Sequence, residues 1–278
     1  MNVLITGANT GIGAATAKDL AKRGHTIFFA CRNEAKTRPV MDEITRETGN
    51  KDLHFLELAL DDLASVKKCA AEFNAKNLPL HVLVLNAGLA RVKGVTKQGF
   101  ETTFGVNHLG HFLLTLELEK ALTAAGTSRV VVVASRAHER THTPIDFSVL
   151  KETARSATGW REYQVSKLAN VLFSKELARR WKDKGVHTYA LHPGVIASDI
   201  WRTTAWPIRK VAMMFMRTPE QGAVSSIRCA TDPALANQTG GYYGENGEER
   251  KTNVLADDLE AAKLLWEKSL EWTAPFRS

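Results

Sequence analysis

The sequence predicts one α/β domain, built on a doubly wound, mostly parallel sheet of about seven strands with helices on both faces. Three observations lead there. The chain has 278 residues, 44% hydrophobic and 24% charged, enough to bury one large core. Short β-branched runs alternate with longer stretches of helical period, the pattern of parallel strands joined by crossover helices. No linker, repeat or low-complexity tract divides the chain.

Strands are expected over 2–6, 26–30, 53–58, 82–86, 129–134 and 187–192, with a seventh around 240–243. Helices are expected over 13–23, 36–48, 63–76, 100–125 and 160–184. A sheet of this kind binds ligands beyond the carboxyl ends of its strands, where the strand order reverses. The chemistry is therefore sought at strand ends.

Composition narrows the function. The net charge of +7 would suit a polyphosphate ligand, a nucleic acid or a membrane surface. No long Lys/Arg run appears, however, and the basic residues are spread along helical stretches, which fits a solvated surface and no nucleic-acid partner. Cys31, Cys69 and Cys229 are odd in number and widely spaced, with neither zinc spacing nor a disulfide framework, so no metal is expected and a reducing cytoplasm suits the chain. The first strand begins at once, leaving no room ahead of it for a signal peptide. Apolar runs such as 130–134 are far shorter than the roughly 20 residues of a membrane span.

Thr6-Gly7-Ala8-Asn9-Thr10-Gly11-Ile12-Gly13 follows the first strand and opens a helix. Glycines there allow a tight turn and close backbone approach to a pyrophosphate at the helix N-terminus. A glycine-rich turn with no ligand is the alternative. At the end of the second strand an NAD enzyme carries an acid for the ribose 2′-hydroxyl. Here the strand ends Ala30-Cys31-Arg32. Arg32 can pair with a 2′-phosphate through its fork of donors, or it is a surface arginine. The missing acid favours the phosphate, hence NADP(H) over NAD(H), with NAD(H) still allowed.

Further motifs follow in order: Asn86-Ala87-Gly88, Asn107 within Val106-Asn107-His108-Leu109-Gly110-His111, Ser135, Tyr163-Gln164-Val165-Ser166-Lys167, and Pro193-Gly194. With the glycine turn, they resemble the short-chain dehydrogenase/reductase family over nearly the whole chain. Ala30-Cys31-Arg32-Asn33, 107–112 and Ser166-Lys167-Leu168-Ala169-Asn170 are most similar to the retinol-dehydrogenase-like branch. The resemblance implies a Rossmann fold and an oxidoreductase that moves a hydride between NADP(H) and a carbonyl or alcohol. It implies Tyr163, Lys167, Ser135 and Asn107 as the catalytic tetrad. It implies coenzyme contacts from Gly7, Asn9, Thr10, Gly11, Ile12, Gly13, Arg32, Asn86, Ala87, Gly88, Tyr163, Lys167, Pro193, Gly194 and Ser198, with Ser198 replacing the usual threonine. Two departures stand out: the aspartate that commonly meets the adenine is Ala59, flanked by Asp61 and Asp62, and the N-terminal hydrophobic segment of membrane-bound retinol dehydrogenases is lacking.

Tyr163 and Lys167, four apart, project from one face of a helix. A nearby ammonium favours the phenolate and lowers a phenol pKa, which makes the group a better acid or base. By the family's pattern Lys167 also holds the ribose hydroxyls, Ser135 bonds the substrate oxygen, and Asn107 holds a water leading from Lys167 to solvent. The stretch 136–161 is polar and reads as a loop with a short helix, His138 and His142 as solvated loop histidines. Near 195–220, Trp201, Trp206, Met213, Met214, Phe215 and Met216 suit a lid over an apolar, bulky substrate of retinol or lipid type. Core packing, an oligomer interface or a membrane contact through Arg202, Arg209, Lys210 and Arg217 are the competing readings. A small carbonyl or alcohol is the expected partner; a homodimer or homotetramer stays open. A catalytically idle dinucleotide-binding sensor with the same fold is the rival function, and loss of a tetrad member, its mark, is absent.

Overall fold

The computed structural model describes residues 1–194 and 217–278. Seven strands form one sheet: β1 (Asn2–Thr6), β2 (Thr26–Cys31), β3 (Leu53–Glu57), β4 (Val82–Leu85), β5 (Ser128–Val133), β6 (Val186–Leu191) and β7 (Gly241–Tyr243). Their order is β3-β2-β1-β4-β5-β6-β7, and every pairing is parallel. All seven carboxyl ends therefore lie on one edge. The order reverses between β1 and β4, which is where such a sheet opens a crevice.

Successive side chains of a strand point to opposite faces, and here both faces are dry. Leu4, Phe28, Leu56, Leu83 and Val130 face one core, filled by residues of α3 (Leu63–Asn74) and of helices nearer the C-terminus. Val3, Ile5, Ile27, Phe29, Val82 and Val131 face the other. That second core is closed by α1 (Gly11–Lys22) and α2 (Glu34–Thr48) with Cys229 and Ala230. Helix starts are set by local chemistry: Asn33 accepts from the Lys36 amide ahead of α2, and Asp62 from the Ala64 amide ahead of α3.

The helix expected over 100–125 is not continuous. It comprises α4 (Thr102–Phe104), a π turn (Gly105–Leu109), α5 (Gly110–Glu117) and α6 (Glu119–Thr123). The π turn is marked by the Gly110 amide donating to the Gly105 carbonyl, five residues back. The helix expected to reach residue 184 ends earlier, as α7 (Trp160–Arg180), followed by a 3-10 turn over Lys182–Lys184. Among the described residues two further helices follow, α8 (Pro219–Thr231) and α9 (Leu259–Thr273). A capping box of Thr218 and Gln221 starts α8, and Asp258 caps α9. Trp266 of α9 stacks on Phe173 of α7 and meets Phe112 of α5 edge-on, so the C-terminal helix roofs the pair that carries the site.

Candidate active site

Beneath the glycine turn, the Gly7 amide donates to the Ala30 carbonyl at 2.9 Å, pinning the turn to β2. Gly7 and Gly11 have φ of +65° and +53°, a region that costs any residue with a Cβ. A Cβ on Gly13 would stand 2.4 Å from the Gly7 carbonyl oxygen and 2.6 Å from Asn86 Nδ2, so helix and turn meet only because there is none. At the head of α1 Thr10 makes no side-chain cap bond and the first turn holds no acid. The amides of that turn are left to an anion. Asn9, Thr10, Gly11 and Ile12 reach the surface there. Arg32, exposed just past β2, stands on the same edge and makes no ion pair among the described residues. The Ala59 amide donates to Ser65 Oγ at 3.0 Å, and Asp62 is committed to the α3 cap and to Lys97.

Across the switch point, Asn86 Nδ2 donates to the Thr6 carbonyl at 2.9 Å. In return the Asn86 and Ala87 amides donate to Thr6 Oγ1 at 2.9 and 3.0 Å. Gly88 follows, and a Cβ there would lie 3.3 Å from Asn107 Oδ1 and 3.5 Å from Lys167 Nζ. The bare glycine thus leaves the space into which both of those side chains look.

Asn107 sits fully buried inside the π turn, a distortion that recurs at functional sites. Its Oδ1 accepts from the Leu89 amide at 2.7 Å, and its Nδ2 donates to the Leu89 carbonyl and to Ser166 Oγ, both at 2.9 Å. Ser166 Oγ donates in turn to the Tyr163 carbonyl at 2.8 Å. Lys167 Nζ donates to the Val133 carbonyl at 2.8 Å and stands 5.7 Å from the Tyr163 ring centre. Ser135 lies just past β5, its Oγ accepting from the Ala137 amide at 3.1 Å, and near enough to the Tyr163 phenol to pull its pKa down. All four tetrad candidates are thus gathered on one edge of the sheet.

Burial dominates the electrostatics. It raises the Tyr163 phenol pKa, with the Ser135 hydrogen bond pulling the other way. It brings Lys167 down to about 7. The sequence led us to expect an ammonium that lowers the phenol pKa; in the structure burial raises it instead, Tyr163 and Lys167 both being nearly inaccessible.

Pro193 and Gly194 leave β6 beside this edge, and the Gly194 amide donates to His192 Nδ1 at 3.4 Å. Ser198 and the lid residues Trp201, Trp206, Met213, Met214, Phe215 and Met216 lie outside the described residues. His138 corrects one expectation: it is buried, its Nδ1 2.7 Å from the Ser135 carbonyl and its ring 4.9 Å from that of Tyr242. It supports the turn after Ser135, whereas His142 is exposed as expected. Sequence reasoning also missed three buried groups around the site: Ser166, which links Asn107 to Tyr163; His111, bonded to Thr6 and Asn107; and His192, whose Nε2 lies 3.8 Å from a Glu245 carboxylate oxygen. A cavity of about 230 Å³ lined by Glu101, Phe104, Leu150, Arg161 and Val165 is separate, since Arg161 and Val165 project from the side of α7 opposite Tyr163 and Lys167.

Comparison with known proteins identifies the family. A family model described as short chain dehydrogenase matches residues 1–145. Retinol dehydrogenase 11 of Homo sapiens is 42% identical over 272 residues, covering 97% of this chain and 84% of its own length. The WW domain-containing oxidoreductase of Homo sapiens is 39% identical, covering 95% of this chain and 66% of its own. Among solved structures, an uncharacterized protein from Mycobacterium Paratuberculosis superposes with a TM-score of 0.74 at 32% identity, over 98% of this chain and 93% of that one. A structure named as an NAD(P) dependent gluconate 5-dehydrogenase from Beutenbergia cavernae, with bound NADP at low occupancy, superposes with a TM-score of 0.71 at 25% identity, over 88% and 95%. With such identity along almost its whole length, this chain belongs to the short-chain dehydrogenase family of oxidoreductases.

Proposed function

We propose that the protein is an NADP(H)-dependent oxidoreductase that transfers a hydride between the nicotinamide and the carbonyl or alcohol carbon of an apolar substrate of retinol or lipid type. The observation that carries this reading is the buried Tyr163 beside Ser135 at the carboxyl edge of the sheet, with Lys167 Nζ 5.7 Å from its ring. Relatives named as retinol dehydrogenases support the substrate class.

The residues fit a dinucleotide. An acid-free first turn with uncapped amides suits a pyrophosphate, and the exposed guanidinium of Arg32 at the end of β2 suits a 2′-phosphate. Asn86, Ala87 and Gly88 would line the route to the nicotinamide, and Lys167 would hold the ribose hydroxyls. Pro193 and Gly194 would meet the ring, joined by Ser198. The coenzyme, when bound, supplies or accepts the hydride.

The chain's own groups then handle the proton. Ser135 Oγ already accepts from the Ala137 amide, and its hydroxyl would donate to the substrate oxygen once that oxygen stands between Ser135 and the Tyr163 phenol. During reduction Tyr163 gives its proton to that oxygen, and during oxidation it takes one back. The phenolate left by reduction is stabilised by protonated Lys167 on the same helix face. Asn107, pinned by Leu89 and Ser166, fixes the floor of the site and would hold the water that returns the proton.

NADPH is expected to bind about tenfold or more tightly than NADH, as a charge-assisted pair is worth roughly 1.5–3 kcal/mol. Fluorescence titration of both coenzymes against wild type and Arg32→Ala checks it; equal affinities in wild type would overturn the preference. Tyr163→Phe should lower kcat by about a hundredfold or more with coenzyme affinity within about twofold, and a variant that keeps most of its turnover ends the proton-transfer assignment.

Lys167 also sets a pH dependence. In the folded protein it holds its proton only below about 7, against an ordinary value of 10.5. Between those values the unfolded chain binds the extra proton, so wild-type stability gains from this group as pH rises, by up to about 1.4 kcal/mol per pH unit. Lys167→Met lacks this contribution. Its stability advantage over wild type in urea should therefore be largest near pH 7 and shrink towards pH 10, whereas parallel pH profiles would mean that Lys167 is not desolvated.

A further inference from the structure

His111 belongs to no part of the mechanism above, yet it is buried at the centre of the site. It is the second residue of α5, two residues after the π turn ends. Both ring nitrogens are engaged, Nδ1 at 3.0 Å from the Asn107 carbonyl and Nε2 at 2.9 Å from Thr6 Oγ1. A carbonyl oxygen only accepts, so the ring proton must sit on Nδ1. Nε2 then presents a lone pair and takes the Thr6 hydroxyl proton. Thr6 is free to give it there, because its oxygen already accepts from the Asn86 and Ala87 amides and the one other acceptor, the Val84 carbonyl, is 3.5 Å away. Burial holds the imidazole neutral, with a pKa of about 4.

We infer that His111 is a positioning residue that couples the end of β1 beneath the glycine turn to the backbone of the catalytic tyrosine. The coupling is a single file of hydrogen bonds. It runs from the Asn86 and Ala87 amides to the Thr6 hydroxyl, through the two sides of the His111 ring to the Asn107 carbonyl, then from Asn107 Nδ2 to Ser166 Oγ and on to the Tyr163 carbonyl. At one end stands the strand edge that would carry the coenzyme, at the other the helix that carries Tyr163 and Lys167. Because each donor in the file has one acceptor direction, a shift at either end must be shared by the whole file. A hydride donor and a proton donor serving the same carbonyl need that common registration, since small misplacements cost rate steeply. No other side chain bonds both Thr6 and Asn107 among the described residues.

The inference rests on the proposed hydride transfer, and its test separates the two. His111→Phe keeps a ring of similar size and removes both bonds; the Gln side chain of His111→Gln can donate to the Asn107 carbonyl and accept from Thr6. With NADPH and the best aldehyde from a screen, His111→Phe is expected to lower kcat about tenfold to a hundredfold. KM and the NADPH dissociation constant should stay within about twofold, and His111→Gln should recover most of kcat. Wild-type kcat in His111→Phe, or kcat and coenzyme affinity lost together in both variants, overturns the positioning role. Tyr163→Phe is assayed alongside: if it stays active, the hydride-transfer mechanism fails whatever His111 does. Should His111→Phe not fold, ¹⁵N spectra of histidine-labelled wild type decide. They should show His111 protonated on Nδ1 alone and unchanged between pH 6 and 8, and an Nε2-protonated or titrating ring would break the file.

Discussion

The bond from Asn86 Nδ2 to the Thr6 carbonyl holds β4 against β1 at the one place where strand order reverses. Everything at the carboxyl edge is referred to this stitch. The same asparagine packs so tightly on the glycine turn that residue 13 has no room for a side chain. Its backbone amide and that of Ala87 converge on the Thr6 hydroxyl, so turn, strand and the loop to Gly88 move as one unit. The uncapped head of α1 and, through Asn107 and Ser166, the Tyr163 face of α7 are therefore tied to one local arrangement.

The second constraint is dryness. Tyr163, Lys167, Asn107 and Ser166 are all buried, and the C-terminal helix roofs the helices beneath them through Trp266. Desolvation drives the phenol and ammonium away from their charged forms, opposite to what an exposed Tyr–Lys pair would show. The pair is held in readiness: binding a ligand that offers hydroxyls to Lys167 and an oxygen to Tyr163 supplies the partners that burial withholds. Among the described residues no helix is long and apolar enough to cross a membrane, and no group of His, Cys, Asp or Glu could hold a metal.

Much of this was legible before any coordinates. The strands are buried on both faces, so they appear as apolar β-branched runs, and all seven expected strands lie within one residue of their places. The glycines at 7, 11 and 13 announce their turn because no other residue fits it. Less could be read from the helices. The stretch 100–125 looks like one helix, since a π turn changes hydrogen-bond partners and not apolar content, and only the resemblance singled out Asn107. His111 was invisible as a functional group because a histidine in an apolar helix usually packs as a core side chain. His138 was misplaced for the converse reason: a polar stretch suggests solvent, yet its ring is folded under Ser135 against Tyr242. The Thr218-Pro219 and Asp258 starts of α8 and α9 were cap signals that passed unused.

The central claim is that this edge transfers a hydride to a carbonyl carbon, and isotope transfer tests it most directly. Wild type would be incubated with NADPH carrying deuterium at C4 of the nicotinamide and an apolar aldehyde, and the alcohol product analysed by mass spectrometry and NMR. The account predicts one deuterium on the carbinol carbon, delivered from one face of the nicotinamide only, with the hydroxyl proton drawn from solvent. Coenzyme that binds tightly while aldehydes, ketones and alcohols of this class all leave without exchange of label would contradict it.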